Sequence, residues 1–280
     1  MPRICELQPP VDTMKGDTMK KILITWLILL VSLGAFAQRK ALVIGNSSYE
    51  KKTFSSAKND AQLAADALKA LDYTVVHKTD LNYSEFTKAL DDFKKDLGIG
   101  DVAVLYYSGF TKQECGKNYI VTNVDPKVKG NQLISVDVVL EAISRATESF
   151  MFLESRQIGT SFFKNPCGKD KGLASIDKLG ANQGFAMAAG SGEELRPASS
   201  NYSVFTHALF KNMTEDMLDF PDLMTAVVRD TKVETKDAQT PYWKSNLKAP
   251  FSFYHPEQGL KYRFRLPTYR GLEGGGSYNF

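Results

Sequence analysis

The residues best placed to do chemistry lie at the ends of two apolar segments of the sequence. The segment VAVLYYSG, residues 102–109, is followed by Phe110 and Thr111, and the segment SFMFLESR, residues 149–156, contains Ser155. Apolar, β-branched and aromatic runs that stop at small polar residues are typical of buried parallel strands that lead into loops. Ligands of open α/β sheets bind at the carboxyl ends of such strands. These positions are therefore the first candidates for a functional site.

Ser155 is a candidate nucleophile, but a serine hydroxyl needs a neighbouring base to activate it. Phe110 cannot act as a base, and Glu154 should point to the opposite face of the strand from Ser155. The histidines of the chain are His77, His207 and His255. Each is better explained as a structural or exposed residue, so a rewired dyad of Ser155 with a histidine is the less favoured interpretation.

Strands and helices alternate along the chain at a spacing typical of a doubly wound parallel sheet. The sequence predicts strands at 40–44, 73–77, 102–107, 150–153 and 184–189, and a small hairpin arm at 118–122. It predicts helices at 57–71, 135–146, 204–213 and 220–235, and another that opens at Asn82 and closes at residues 98–100. We therefore expect an α/β fold with a mostly parallel central sheet and helices on both of its faces.

The N-terminal residues have the pattern of a targeting segment. In the segment from Met19 to Ala37, Lys20 and Lys21 precede an apolar run, and the segment closes on the A-x-A pattern of a secretory signal peptide. A membrane anchor is the alternative, but the run is short for a span of about 20 residues, so we expect no stable span after cleavage. Residues 1–18 are interpreted as an over-called start. The protein is therefore expected to be exported, to the periplasm or the extracellular space.

Composition limits the remaining classes of function. A chain of 280 residues that is 43% hydrophobic can bury one full core. The formal net charge of +3 is too small to imply a nucleic-acid partner. His and Cys residues lack the spacing of a zinc site, and Gly45-Asn46 lacks the glycine spacing of a phosphate loop. We therefore expect no metal and no other cofactor.

Several short segments together resemble the caspase, metacaspase and paracaspase superfamily over about residues 40–254. These segments are ALVIGNSSY, KNDAQLAADALKAL, GIGDVAVLYYSG, GLASIDKLGANQGFAMAAGSGEE, NYSVFTHAL and KDAQTPYWKSNLKAPFSF. Each segment is weak alone, but their order and spacing are specific to the family. The resemblance implies a caspase-like (caspase-hemoglobinase) fold at residues 38–255, between the over-called start with its signal peptide at 1–37 and a C-terminal tail or linker at 256–280.

The resemblance also implies a catalytic site whose residues are replaced here. In the family, the first segment ends in a YYSGHG-like sequence with a histidine base, and the second ends in a D-A-C-R-like sequence with a cysteine nucleophile. Phe110 stands in the histidine position and Ser155 in the cysteine position. Leu153 replaces the acidic residue that binds a basic P1 side chain of a substrate, and Thr111 replaces a glycine of the oxyanion hole. All four positions therefore differ from the family pattern.

We therefore expect a catalytically inactive pseudopeptidase that acts as a binding or regulatory scaffold. The alternative is an active cysteine-type endopeptidase with a rewired site. A peptide or protein partner would bind in the cleft at the carboxyl ends of the strands. Glu193 and Glu194 could attract a basic peptide, although a solvated acidic turn is the simpler interpretation. Asp60 either reaches toward the cleft or, more simply, caps its helix.

Cys115 and Cys167 are the cysteines that remain after cleavage of the signal peptide. Cys115 is predicted to lie in the loop after the strand at 102–107, and Cys167 in the loop after the strand at 150–153. The two strands are neighbours in the sheet that the family resemblance implies, so both loops leave the same edge side by side. Because an exported protein meets an oxidising environment, we expect a disulfide between them. The alternative is two free thiols in mobile loops.

Overall fold

The computed structural model describes residues 38–50, 53–130, 132–157, 172–193, 195, 201–215, 217–254, 264 and 266. The predicted signal peptide, Cys167, Glu194, His255 and most of the predicted tail lie outside these residues. Within the described part of the chain, no helix combines the length and the apolar character that crossing a membrane requires.

One mostly parallel sheet of eight strands forms the centre of the described structure. The strands are β1 (Arg39–Gly45), β2 (Thr74–Thr79), β3 (Val102–Glu114), β4 (Lys117–Val121), β5 (Leu133–Ser135), β6 (Glu148–Gln157), β7 (Gln183–Met187) and β8 (Tyr242–Ser245). The strand order is β2-β1-β3-β6-β7-β8, and the first five of these strands run parallel to one another. Strand β8 runs antiparallel at one edge, and β4 and β5 form an antiparallel arm on the end of β3.

Helices cover both faces of the sheet, as predicted. They are α1 (Ala57–Ala70), α2 (Tyr83–Asp96), α3 (Val136–Ile143), α4 (Val204–Glu215) and α5 (Phe220–Thr235). Helices α1, α4 and α5 pack on the face that carries Tyr106, Phe150 and Phe152, which we call the first face. Helices α2 and α3 pack on the second face, which carries Tyr107 and Leu153. Side chains alternate between the faces along each strand because the strand period is two residues.

The central strands β3 and β6 are longer than predicted, which changes the setting of the candidate site. Strand β3 continues through Phe110 and Thr111 to Glu114, and β6 continues through Ser155 to Gln157. The expectation that Phe110 and Thr111 follow the end of a strand is therefore wrong. The extension is stabilised by β4, which returns antiparallel to residues 111–114 after a two-residue turn. In that turn Cys115 and Gly116 have φ values of 52° and 77°, as expected for a tight hairpin.

Two apolar residues of the predicted tail are partly buried against the core of the domain. Phe264 and Leu266 pack against the cluster on the first face of the sheet. The alternation of charged and apolar residues in KYRFRLP, residues 261–267, is typical of a segment with one apolar side. The described part of the tail thus contacts the domain.

Candidate functional site

Phe110 and Ser155 project from opposite faces of the sheet. Gly109 is the register partner of Ser155, and Phe110 is the register partner of Arg156. Directly paired residues share a face and successive residues alternate, so Ser155 lies on the second face and Phe110 on the first. The side-chain contacts agree, because Phe110 packs against Phe54 near α1 while Ser155 contacts Thr111.

Phe110 occupies the centre of a small aromatic cluster and is only 3% exposed. Its ring centroid lies 4.8 Å from that of Tyr49 and 5.7 Å from that of Phe54. The Phe110 N–H donates to the Tyr49 hydroxyl at 3.0 Å, and this hydroxyl lies 3.1 Å from the Tyr107 hydroxyl. The position that the family resemblance assigns to the base is therefore part of the packed interior.

Gly109 permits the tyrosines of this cluster to approach the backbone of β3. A Cβ atom at Gly109 would lie 2.4 Å from the Tyr107 hydroxyl oxygen and 2.7 Å from that of Tyr49. The Tyr107 hydroxyl also lies 2.9 Å from the carbonyl oxygen of Phe110. Burial raises the pKa of both tyrosines above the usual range. Both phenols are therefore neutral hydrogen-bonding groups at physiological pH and not bases.

Ser155 lies beside Thr111 on the second face. The Thr111 hydroxyl donates to Ser155 Oγ at 3.1 Å, and Ser155 is only 7% exposed. A cavity next to Ser155 has a volume of about 10 Å³, which is room for about one water molecule. It is lined by Ser155, Gln157, Gly172, Leu173, Met187, Ala188, Ala189, Gly190, Glu193 and Leu195. Within the described residues, the space beside Ser155 is therefore small.

The position expected to bind a basic substrate side chain is apolar and closed. Leu153 is fully buried in the second-face cluster. Glu193, the described member of the Glu193–Glu194 pair, lies in an exposed turn and accepts a hydrogen bond from the Gly190 N–H at 3.2 Å. The same turn is held by a hydrogen bond from the Gly192 N–H to the Leu173 carbonyl. Glu193 is therefore an exposed acidic group, whereas Leu153 supplies no charge at the position expected to bind a basic side chain.

Neither described histidine is placed to activate Ser155. His77 lies in β2 and is level, through Val43 and Tyr106, with Phe152 of β6. Three strand spacings of about 4.8 Å put it roughly 14 Å to the side of β6. His207 belongs to α4 on the first face, whereas Ser155 projects from the second. Within the described residues, the alternative of a rewired Ser155–histidine dyad thus has no geometric support.

Asp60 neither caps its own helix nor reaches the cleft. The residue that precedes α1 is Ser56, and Asp60 lies inside the helix, where it is fully buried. Its carboxylate accepts hydrogen bonds from the Ser203 N–H at 2.8 Å, the Ser203 hydroxyl at 2.7 Å and the Ser108 hydroxyl at 3.2 Å. Asp60 therefore joins α1 to β3 and to the start of α4. Its burial, only partly offset by these hydrogen bonds, raises its pKa to about 6.

Cys115 is disulfide-bonded in the structure. The other cysteines of the chain, Cys5 and Cys167, both lie outside the described residues. The predicted pairing with Cys167 therefore stays a prediction. Among the described residues, no group of three or more His, Cys, Asp or Glu side chains could hold a metal ion.

Comparisons with known proteins agree with the architecture described above. The insect caspase-1 of Spodoptera frugiperda superimposes with a TM-score of 0.55 over 82% of this chain and 92% of the insect chain, at 15% sequence identity. This likeness shows the fold, and with the mostly parallel sheet it confirms the predicted caspase-like fold.

Sequence comparison gives relatives among curated proteins. The chain is 25% identical to the human mucosa-associated lymphoid tissue lymphoma translocation protein 1 over 79% of its own length, and 26% identical to the mouse homologue over 78%. In each case it spans only 27% of the relative. The family model for the caspase domain matches residues 38–252, most of the chain. The chain therefore belongs to the caspase-domain family.

Proposed function

We propose that this chain is an exported caspase-like domain without peptidase activity that acts as a binding or regulatory scaffold. One observation carries the proposal: Phe110 and Ser155, which occupy the base and nucleophile positions, project from opposite faces of the sheet. A nucleophile and its base must lie within hydrogen-bond reach of each other. The two side chains cannot meet while β3 and β6 stay paired.

The neighbours of Ser155 support the same conclusion. Thr111 donates a hydrogen bond to Ser155 but cannot accept a proton at physiological pH. Among the described residues, the cavity beside Ser155 has a volume of only about 10 Å³. Leu153 would also leave a basic substrate side chain unpaired in an apolar environment, which opposes binding. The proposal thus rests on three features: no base beside Ser155, little space next to it, and no charge at Leu153 to bind a basic side chain.

A scaffold role is supported by the parts of the domain that remain intact. Both faces of the sheet carry continuous apolar cores, so the fold does not depend on the lost chemistry. We propose that a peptide or protein partner contacts the edge of the sheet at the carboxyl ends of β6 and β7. The exposed turn that contains Glu193 would give this edge a negative group for a basic partner.

A peptidase assay tests the proposed loss of activity. We expect the chain purified without residues 1–37 to release no product from fluorogenic peptides with arginine or lysine at the cleavage site. The Ser155→Ala variant is the matched control and should give the same background rate. Cleavage by the wild-type chain that disappears in Ser155→Ala would overturn the proposal in favour of an active endopeptidase.

Export and the disulfide can be tested on one sample. Expressed in a bacterium from Met19, the protein is expected to appear in the periplasmic fraction with Gln38 as its first residue. Non-reducing peptide mapping should then link Cys115 to Cys167, because the periplasm favours disulfides. Retention of an uncleaved N-terminus would contradict the signal peptide. Two thiols that react with a maleimide in the processed protein would contradict the disulfide.

A further inference from the structure

Glu154 is a buried carboxyl group in the core of the first face. It follows Phe150 and Phe152 on that face of β6, and no part of it is exposed. The family resemblance places an alanine at this position, so the carboxyl is a feature of this chain. Among the described residues, neither carboxylate oxygen has a hydrogen-bond partner of good geometry. The Ser203 and Thr206 side chains lower the pKa of Glu154 but do not offset its burial.

Asp60 is the second buried carboxyl of the same region, and it uses the available donors. The Ser203 N–H and hydroxyl and the Ser108 hydroxyl all donate to Asp60. Ser108 is the register partner of Glu154 on β3, but its hydroxyl donates to Asp60 and so is not free for Glu154. The Tyr106 hydroxyl, which also senses the charge of Glu154, is 2.6 Å from Thr206 Oγ1. Asp60 and Glu154 repel each other electrostatically when both are ionised. Glu154 is therefore left with the less favourable environment of the two.

Arg156 compensates for the second carboxylate only in part, because its charge lowers the pKa of Glu154 less than burial raises it. It lies on the same face of β6 as Glu154, but no ion pair joins the two within the described residues. Its guanidinium carbon instead lies 5.1 Å from the Phe54 ring centroid, and its Nε is buried without a partner among the described residues. On α4, the titratable residue nearest in sequence to these hydroxyls is His207, next to Thr206.

We propose that Glu154 and Asp60 form a buried acid pair that takes up a proton from solvent when the domain folds, so that the docking of α1 and α4 on the sheet is linked to pH. The proton binds a carboxylate oxygen of Glu154 and neutralises it. The new O–H can then donate to a neighbouring hydroxyl oxygen, while Asp60 keeps its hydrogen bonds from Ser203 and Ser108. No other reactant is needed.

The linkage has a definite sign. Burial, and next the charge of Asp60, raise the pKa of Glu154 well above its usual value, whereas in the unfolded chain the group ionises normally. The folded state thus binds more protons than the unfolded state, and stability falls as pH rises. The loss begins above the unfolded pKa of about 4.3 and ends at the folded pKa. Each bound proton changes the unfolding equilibrium constant up to tenfold per pH unit.

Urea unfolding between about pH 5 and about pH 8.5 tests the proposal. The comparison uses the wild-type chain, Glu154→Gln, which is neutral and similar in shape, and Glu154→Ala, which has the family residue. The control is Glu141→Gln at an exposed position of α3. We expect Glu154→Gln to be at least about tenfold more stable than wild type, in equilibrium constant, at the alkaline end and to approach it at the acidic end. Comparing the stability of each variant with that of wild type at the same pH cancels the contributions of His77 and the other titratable groups.

The outcomes separate the possibilities. A shallower pH dependence in either Glu154 variant, with no change in Glu141→Gln, supports the pair. Equal pH dependence in wild type and both Glu154 variants overturns it. If Asp60→Asn flattens the curve and the Glu154 variants do not, the proton belongs to Asp60 alone and the proposal is also wrong. If the variants fail to fold, release of about one proton on unfolding wild-type protein near pH 8, followed with an indicator dye, still decides the question, since no release overturns it.

Discussion

The double variant Phe110→His, Ser155→Cys is expected to cleave arginine peptides no faster than the wild-type chain, although it restores both residue types of the family dyad. The reason is geometric. Position 110 faces the first side of the sheet and position 155 the second, because Gly109, not Phe110, is paired with Ser155. A nucleophile and base that act as a unit account for rate factors of about 10⁶. Restoring the residue types without their contact should therefore recover almost none of this factor.

A substrate assay with active-site titration measures this outcome. Circular dichroism and urea unfolding should accompany it, because a histidine at the buried position 110 can also destabilise the domain. The matched control combines Phe110→His with Ser155→Ala. Efficient cleavage by the double variant that the control lacks would mean that the end of β3 leaves the sheet and lets the two side chains meet. Adding Leu153→Asp and Thr111→Gly then tests whether substrate recognition is the remaining barrier.

The alternation of apolar segments made the overall fold predictable. Runs such as VAVLYY and FMFL alternate between the two faces of the sheet, and their order along the chain fits a mostly parallel sheet. The ends of β3 and β6 were not predictable in the same way. Thr111 is in a strand because β4 and β6 pair with it, and pairing between distant segments leaves little local signal.

The polar residues of the first face illustrate the same limit. The position of Asp60 near the start of a helix favours a capping role, but its partner Ser203 is 143 residues away in the sequence. Nothing local to either residue identifies that contact. By contrast, the orientation of Glu154 away from Ser155 follows from strand alternation alone. What alternation does not reveal is that the donors around Glu154 are already used by Asp60 and Thr206.

Replacing Phe110 by alanine is expected to lower the free energy of unfolding by about 3–5 kcal/mol, the usual range for a buried phenylalanine. The ring is almost fully buried between Tyr49 and Phe54, and its removal would leave a cavity next to α1. Urea unfolding gives the value directly. Phe110→Leu, which keeps most of the apolar volume, should be destabilised less. Val138→Ala, at an exposed position of α3, should change stability by no more than about 0.5 kcal/mol.

The size of this effect separates two interpretations of the Phe110 side chain. A loss below about 1 kcal/mol in Phe110→Ala would place the ring in a loose setting, as expected of a residue that merely fills a disused catalytic position. A loss in the full range would mean that the ring has become a core residue. The hydrogen bond from the Phe110 N–H to Tyr49 and the close tyrosine packing at Gly109 favour the second outcome. In that case a histidine at position 110 could serve as a base only after the aromatic cluster around β3 had been rebuilt.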